Sequence, residues 1–122
     1  MLKILLRIAS VFLMLHGAAT FAAAKILPLS AIGDRLLFAQ HGFTFIFLAL
    51  LNLIIWQSAS SGVLSRWTMH TCNLSFLLLY VAISIRNAEL PNLISTTLIA
   101  ALFLIGLTLD RTARPHAVAP AT

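Results

Sequence analysis

The chain is 122 residues long, 61% hydrophobic and only 9% charged, with eight Lys/Arg against three Asp/Glu and a formal net charge of +5. A soluble domain carries about 25% charged residues, so this composition cannot cover a water-facing surface and excludes an ordinary soluble enzyme. Nor does the basic excess indicate nucleic acid, because the Lys and Arg residues are scattered singly and form no patch that could track phosphates.

Four apolar blocks, at about 4–24, 36–57, 67–86 and 91–109, leave the charges to the gaps and block ends, with only Arg7 inside. A helix rises about 1.5 Å per residue and the hydrocarbon layer is about 30 Å thick, so each block is long enough to cross it. In lipid every backbone N–H and C=O must be paired internally, which leaves helices or closed barrels. Barrel strands alternate apolar and polar residues, and a run such as Phe45-Ile46-Phe47-Leu48-Ala49-Leu50-Leu51 does not. The predicted fold is all-α. Residues 1–110 form one antiparallel bundle of four transmembrane helices, and 111–122 form an unordered cytoplasmic tail.

The first block begins with Lys3 and Arg7 and ends in Ala22-Ala23-Ala24, which resembles a secretory signal with a small-residue cleavage site. Its apolar stretch from Ile8 to Ala24 exceeds the usual signal core of about 7–15 residues, and it contains His16. Ala18/Ala22 and Ala19/Ala23 have the small-xxx-small spacing of close helix packing in lipid. A retained span is the expectation; cleavage is the alternative and would leave three spans. The connection from Lys25 to Arg35, with Pro28 and Gly33, is expected to lie on the outer surface through Ile26, Leu27, Leu29 and Ile32.

In the second block His41, Thr44, Phe45, Leu48 and Asn52 recur at helical spacing and share a face. A Ser/Gly turn from Ser58 to Arg66 follows, flanked by Trp56 and Trp67 at one interface. The third block places His70, Asn73, Leu77, Tyr80 and Ser84 on one face. The single cysteine, Cys72, rules out an intramolecular disulfide and reads as a small packing residue. Pro91 suits the first turn of the fourth helix, where Asn92, Ser95, Thr96 and Gly106 mark the inward stripe.

Lys3, Arg7, Arg66, Arg111 and Arg114 fall on one side of the membrane, against Lys25, Arg35 and Arg86 on the other. This bias puts both termini in the cytoplasm of a bacterial inner membrane.

Polar side chains within a span turn inward and are the natural functional candidates. By depth they form two groups. Asn52, His70 and Asn73 belong to the inner half, where Asn52 is expected to hydrogen-bond His70 or Asn73 and Asn52→Leu to cost less than about 1 kcal/mol. In the outer half His16 lies about 12 Å and His41 about 7–8 Å below the helix ends. With Tyr80, Ser84 and Thr96 they are the candidate ligand-binding set. Histidines there fasten helices in the simplest reading. In the sharper one His16 and His41 hold haem or a metal, or bind a quinone or lipid headgroup with Tyr80 and Gln40. Zinc would need further ligands, and His70 lies in the wrong half to supply one.

Small multidrug-resistance transporters are of similar length but carry a glutamate within the first helix, and none lies between Ile4 and Ala24 here. Mercury transporters use paired cysteines. No Gly-x-Ser-x-Gly, His-Glu-x-x-His or phosphate-binding glycine loop is present. The four-span layout, with Gly17 in the first helix, resembles the DoxX-like small bacterial membrane proteins, which implies the bundle fold and assigns no site residue or cofactor. The functional expectation is a non-enzymatic accessory or partner-binding subunit, in a larger membrane complex or a homo-oligomer. A small-ligand-binding bundle or small transporter built on the outer pocket is the alternative.

Overall fold

Each apolar block extends into a helix longer than itself: α1 (Leu2–Ile26), α2 (Ile32–Gln57), α3 (Val63–Arg86) and α4 (Leu90–Ala113). The computed structural model describes residues 1–26, 32–58 and 62–113, and no strand occurs among the described residues. All four helices are long and apolar enough to cross a membrane, so the chain is an all-α integral membrane protein. At about 1.5 Å per residue the helices outrun the ~30 Å hydrocarbon layer, and their ends reach headgroup level. Lys25, Arg86 and Arg111 occupy the last turns of α1, α3 and α4, where a cation favours the unpaired carbonyls. Segments 27–31, 59–61 and 114–122 lie outside the described residues. They include Leu27 and Leu29 of the expected surface stretch, the middle of the Ser/Gly turn, and the tail from Arg114.

α1 runs on to Ile26 and α2 begins at Ile32, so these two residues of the expected surface connection belong to helices instead, and two further boundaries, those of α3 and α4, differ for one physical reason. α3 starts at Val63 rather than Trp67, and α4 runs to Ala113 rather than Leu109. Arg66 in the first turn of α3 pairs with Asp110 in the last turns of α4 at 3.1 Å, so charges that mark the edge of an apolar block here hold two helix ends together. The Arg66 guanidinium also sits 5.9 Å from the centre of the Trp56 ring on α2, a cation–π distance.

α1 packs on α2 and α4, and α3 packs on α4 and more lightly on α2, which makes a four-cornered antiparallel bundle. The end holding the starts of α1 and α3 is termed the terminal end here, and the opposite end the distal end. Leu6, Leu13, Leu48, Ile99 and Leu102 are almost wholly enclosed, whereas Phe12, Phe43, Phe47 and Leu104 face outward, as expected where lipid is the solvent. The outward Thr68, Thr97 and Thr108 hydroxyls each donate to the carbonyl four residues back in their own helix, so these three donors are not left bare in lipid.

The tightest approach is between α1 and α2. A Cβ placed on Gly17 would lie 2.7 Å from the Gly42 carbonyl oxygen, and one on Gly42 would lie 2.6 Å from the Gly17 carbonyl and 2.7 Å from the Phe21 nitrogen. The obstructing atoms are backbone and cannot move aside independently of their helices. Two bare backbones therefore meet here, the device by which membrane helices gain dispersion contact without a hydrophobic driving force. Gly106 on α4 has a different role, leaving room for the His70 ring, whose Cε1 would be 3.3 Å from an added Cβ.

α2 and α3 are joined by an amide pair. Asn52 Nδ2 donates to Asn73 Oδ1 at 2.9 Å, and Asn73 Nδ2 donates back to Asn52 Oδ1 at 3.0 Å. Nδ2 of Asn52 also donates to the Leu48 carbonyl at 2.8 Å, and both side chains are fully buried. His70 takes no part. It packs edge-on against Phe103, and neither ring nitrogen has a hydrogen-bond partner among the described residues.

Two reciprocal bonds make this contact costlier to break from one side than a single interhelical hydrogen bond. Asn52→Leu is expected to lower stability by about 1–2 kcal/mol, above the ~0.6 kcal/mol membrane average, because it strands the Asn73 amide. Removing both amides, as Asn52→Leu with Asn73→Leu, is expected to recover at least half of that loss in SDS-unfolding measurements. Additive losses in the double variant would show that the pair is not coupled as described.

Candidate functional site

The distal half gathers polar groups from α1, α2, α3 and α4 around a cavity of 290 Å³. Its lining includes His16, His41, Phe45, Tyr80, Glu89 and Ser95. The α1–α2 contact explains how two histidines reach one cavity. His16 and His41 each immediately precede one of the glycines that meet there, so the two His-Gly steps are brought together by the same close approach.

Each histidine is fixed differently. His16 Nε2 is 2.8 Å from Ser95 Oγ on α4, and that hydroxyl donates to the Pro91 carbonyl at 2.8 Å. A serine hydroxyl has one proton. With it on Pro91, the Nε2–H of His16 donates to Ser95 Oγ, and in the neutral ring Nδ1 remains an acceptor. One turn on, Thr20 returns its hydroxyl to the His16 carbonyl at 2.8 Å. His41 is held by ring contact, its centroid 5.9 Å from that of Tyr80. Phe45, one turn along α2, lies 5.3 Å from His16 and 5.0 Å from Tyr80 between ring centres, and so forms an apolar wall between two polar groups.

Tyr80 is 2% exposed, and its hydroxyl has no hydrogen-bond partner among the described residues. A buried phenol normally finds one. Its hydroxyl is thus a donor held ready beside the cavity. The α3–α4 turn closes the distal side. The Asn92 side chain donates to the Asn87 carbonyl at 3.0 Å, and Glu89 is the only formally charged residue among the described ones lining the cavity.

The five candidates divide into two sets. His16, His41 and Tyr80 line the cavity, whereas Ser84 and Thr96 bond each other across α3 and α4 at 2.9 Å and are not part of its lining. The single Thr96 hydroxyl proton has the Asn92 carbonyl at 2.8 Å and the Tyr80 carbonyl at 3.2 Å as acceptors, and with it directed there Ser84 is the donor to Thr96. They fasten the two helices beside the cavity. Depth alone could not make this distinction, because a serine and a threonine on facing helices satisfy each other at the same height. Helical facing and depth single out neither Glu89, which lies in the short α3–α4 connection, nor the His-Gly step that recurs at 16–17 and 41–42. Gln40 is exposed and does not line the cavity.

No group of three or more His, Cys, Asp or Glu side chains is placed to hold a metal among the described residues. His16 would in addition have to give up its bond to Ser95 to ligate through Nε2. The chemistry on offer is hydrogen bonding in an apolar, aromatic setting.

No protein-family model, curated protein or solved structure matches this chain.

Proposed function

We propose that this small integral membrane protein binds a small, lipid-soluble ligand of about one ring in its distal cavity. The observation that carries the reading is the buried, unpartnered hydroxyl of Tyr80, a residue that lines a cavity together with two histidines. Drug-sized ligands occupy pockets of about 300–1,000 Å³, and 290 Å³ lies at the bottom of that range. A ring carrying two carbonyl acceptors, the chemistry of a quinone headgroup, would take donors from Tyr80 and a histidine while its face lies against Phe45. Neither Lys nor Arg lines the cavity among the described residues, which favours a neutral ligand over an anionic one. The accessory-subunit reading rests on small size and lack of motifs, and no contact or surface favours it specifically. In the same reading the protein lies in a bacterial inner membrane with both termini cytoplasmic, on the strength of the Lys/Arg distribution.

Calorimetric titration of the detergent-solubilised protein with decylubiquinone is expected to show saturable binding. Tyr80→Phe and His41→Leu should each weaken it about tenfold, the loss of one hydrogen bond of roughly 1.4 kcal/mol. Tyr80→Phe should leave the melting temperature of the unliganded protein unchanged, since its hydroxyl has no partner to lose. His70→Leu should leave binding unchanged. Absence of saturable binding, or indifference to both cavity variants, would return the protein to the partner-binding reading.

Reporter fusions test the orientation. A fusion after Arg114 should report the cytoplasm and one at Gly33 the opposite side, and the same side for both would contradict the topology.

A further inference from the structure

A second polar recess lies at the terminal end, between α3 and α4. A cavity of 310 Å³ is lined by Trp67, His70, Leu107, Asp110 and Arg111. Beside it another of 350 Å³ is lined by Val63, Arg66, Trp67 and Asp110. Trp67 and Asp110 border both, so the two are adjacent recesses near the terminal end of α3 and α4.

Charge and hydrogen bonding decide what fits. Asp110 is matched by Arg66 at 3.1 Å, which leaves Arg111 as the recess's net positive charge, with no ion pair among the described residues. His70 is only 8% exposed, yet neither of its ring nitrogens is hydrogen-bonded among the described residues. Trp67 is 62% exposed, as a ring at the membrane interface is. One turn toward the membrane centre, Leu74 follows His70 on α3 and Leu104 precedes Leu107 on α4, and both are exposed. An unmatched guanidinium, a buried imidazole and an interfacial tryptophan thus stand over an apolar strip. Basic recesses between transmembrane helices bind lipid headgroups in this way, and a guanidinium suits the oxygens of a phosphate.

We propose that the α3–α4 recess binds a phosphate group presented by an anionic phospholipid. Arg111 is its ionic partner, the ring of His70 lines the floor, and the acyl chains lie along Leu74 and Leu104. The site is independent of the distal cavity and of what that cavity binds.

Native mass spectrometry of the whole protein, released from micelles with dioleoylphosphatidylglycerol or dioleoylphosphatidylcholine added, tests this directly. The wild-type protein should retain one phosphatidylglycerol about tenfold more tightly than phosphatidylcholine. Arg111→Gln should abolish that preference while lowering the melting temperature only slightly, since Arg111 is exposed, has no ion pair among the described residues, and contributes to the fold only as a last-turn cation. His70→Leu should reduce it. Arg7→Gln, which removes a cation from the same end but outside the recess, should leave it intact. Equal retention of the two lipids by wild type, or an equal loss in Arg7→Gln and Arg111→Gln, would overturn the site in favour of general charge attraction. Displacement of the lipid by millimolar inorganic phosphate would overturn the lipid as the source and assign the recess to free phosphate.

Discussion

The backbone contact between Gly17 and Gly42 sets the geometry of the distal half. Lipid gives helices no hydrophobic reason to associate, so α1 and α2 gain their adhesion from dispersion at the one place where neither has a side chain in the way. A methyl group at either position would have to occupy space already filled by the other helix's backbone. Because a histidine precedes each glycine, the same contact brings His16 and His41 to one cavity. The helix pair and the candidate site are consequences of a single close approach.

From that contact outward, the bundle is organised by the need to pair polar groups without water. Asn52 with Asn73 joins α2 to α3, His16 with Ser95 joins α1 to α4, and Ser84 with Thr96 and Arg66 with Asp110 join α3 to α4 at opposite ends. Each is modest in energy, and together they fix the register of antiparallel helices whose apolar faces are otherwise much alike. The unsatisfied groups are then informative. Tyr80 and His70, both in the α3 interior and both without partners among the described residues, each border a cavity. The Ser10 hydroxyl and the Trp56 indole nitrogen are also buried without a hydrogen-bond partner among the described residues, yet these residues line neither cavity, so it is the combination of an unpaired group with adjacent space that singles out Tyr80 and His70.

The number, type and approximate position of the helices were legible in the sequence, because a run of some 20 apolar residues has few other uses. So was the convergence of Asn52 with Asn73 and of His16 with His41 and Tyr80, since helical spacing and depth together restrict which inward groups can meet. Helix ends were less legible. Arg66 and Asp110 read as boundary charges, whereas they attract each other and extend two helices. The roles of Ser84 and Thr96 were hidden for a related reason: facing hydroxyls can line a cavity or satisfy each other, and spacing is the same in both cases. The importance of Gly17 and Gly42 was visible only as a repeated dipeptide, since a glycine's use depends on the neighbour that approaches it.

The most direct test of the α1–α2 contact is solid-state NMR on protein labelled with ¹³C at glycine only and diluted with unlabelled protein in bilayers. The chain has five glycines, none adjacent in sequence, so a glycine–glycine correlation within one molecule requires a tertiary contact. Gly17 and Gly42 should give a strong carbonyl-to-Cα cross-peak that survives dilution and disappears in Gly42→Leu. Absence of that cross-peak in well-ordered samples would mean that the two backbones do not meet, and that His16 and His41 are not brought together by the contact described.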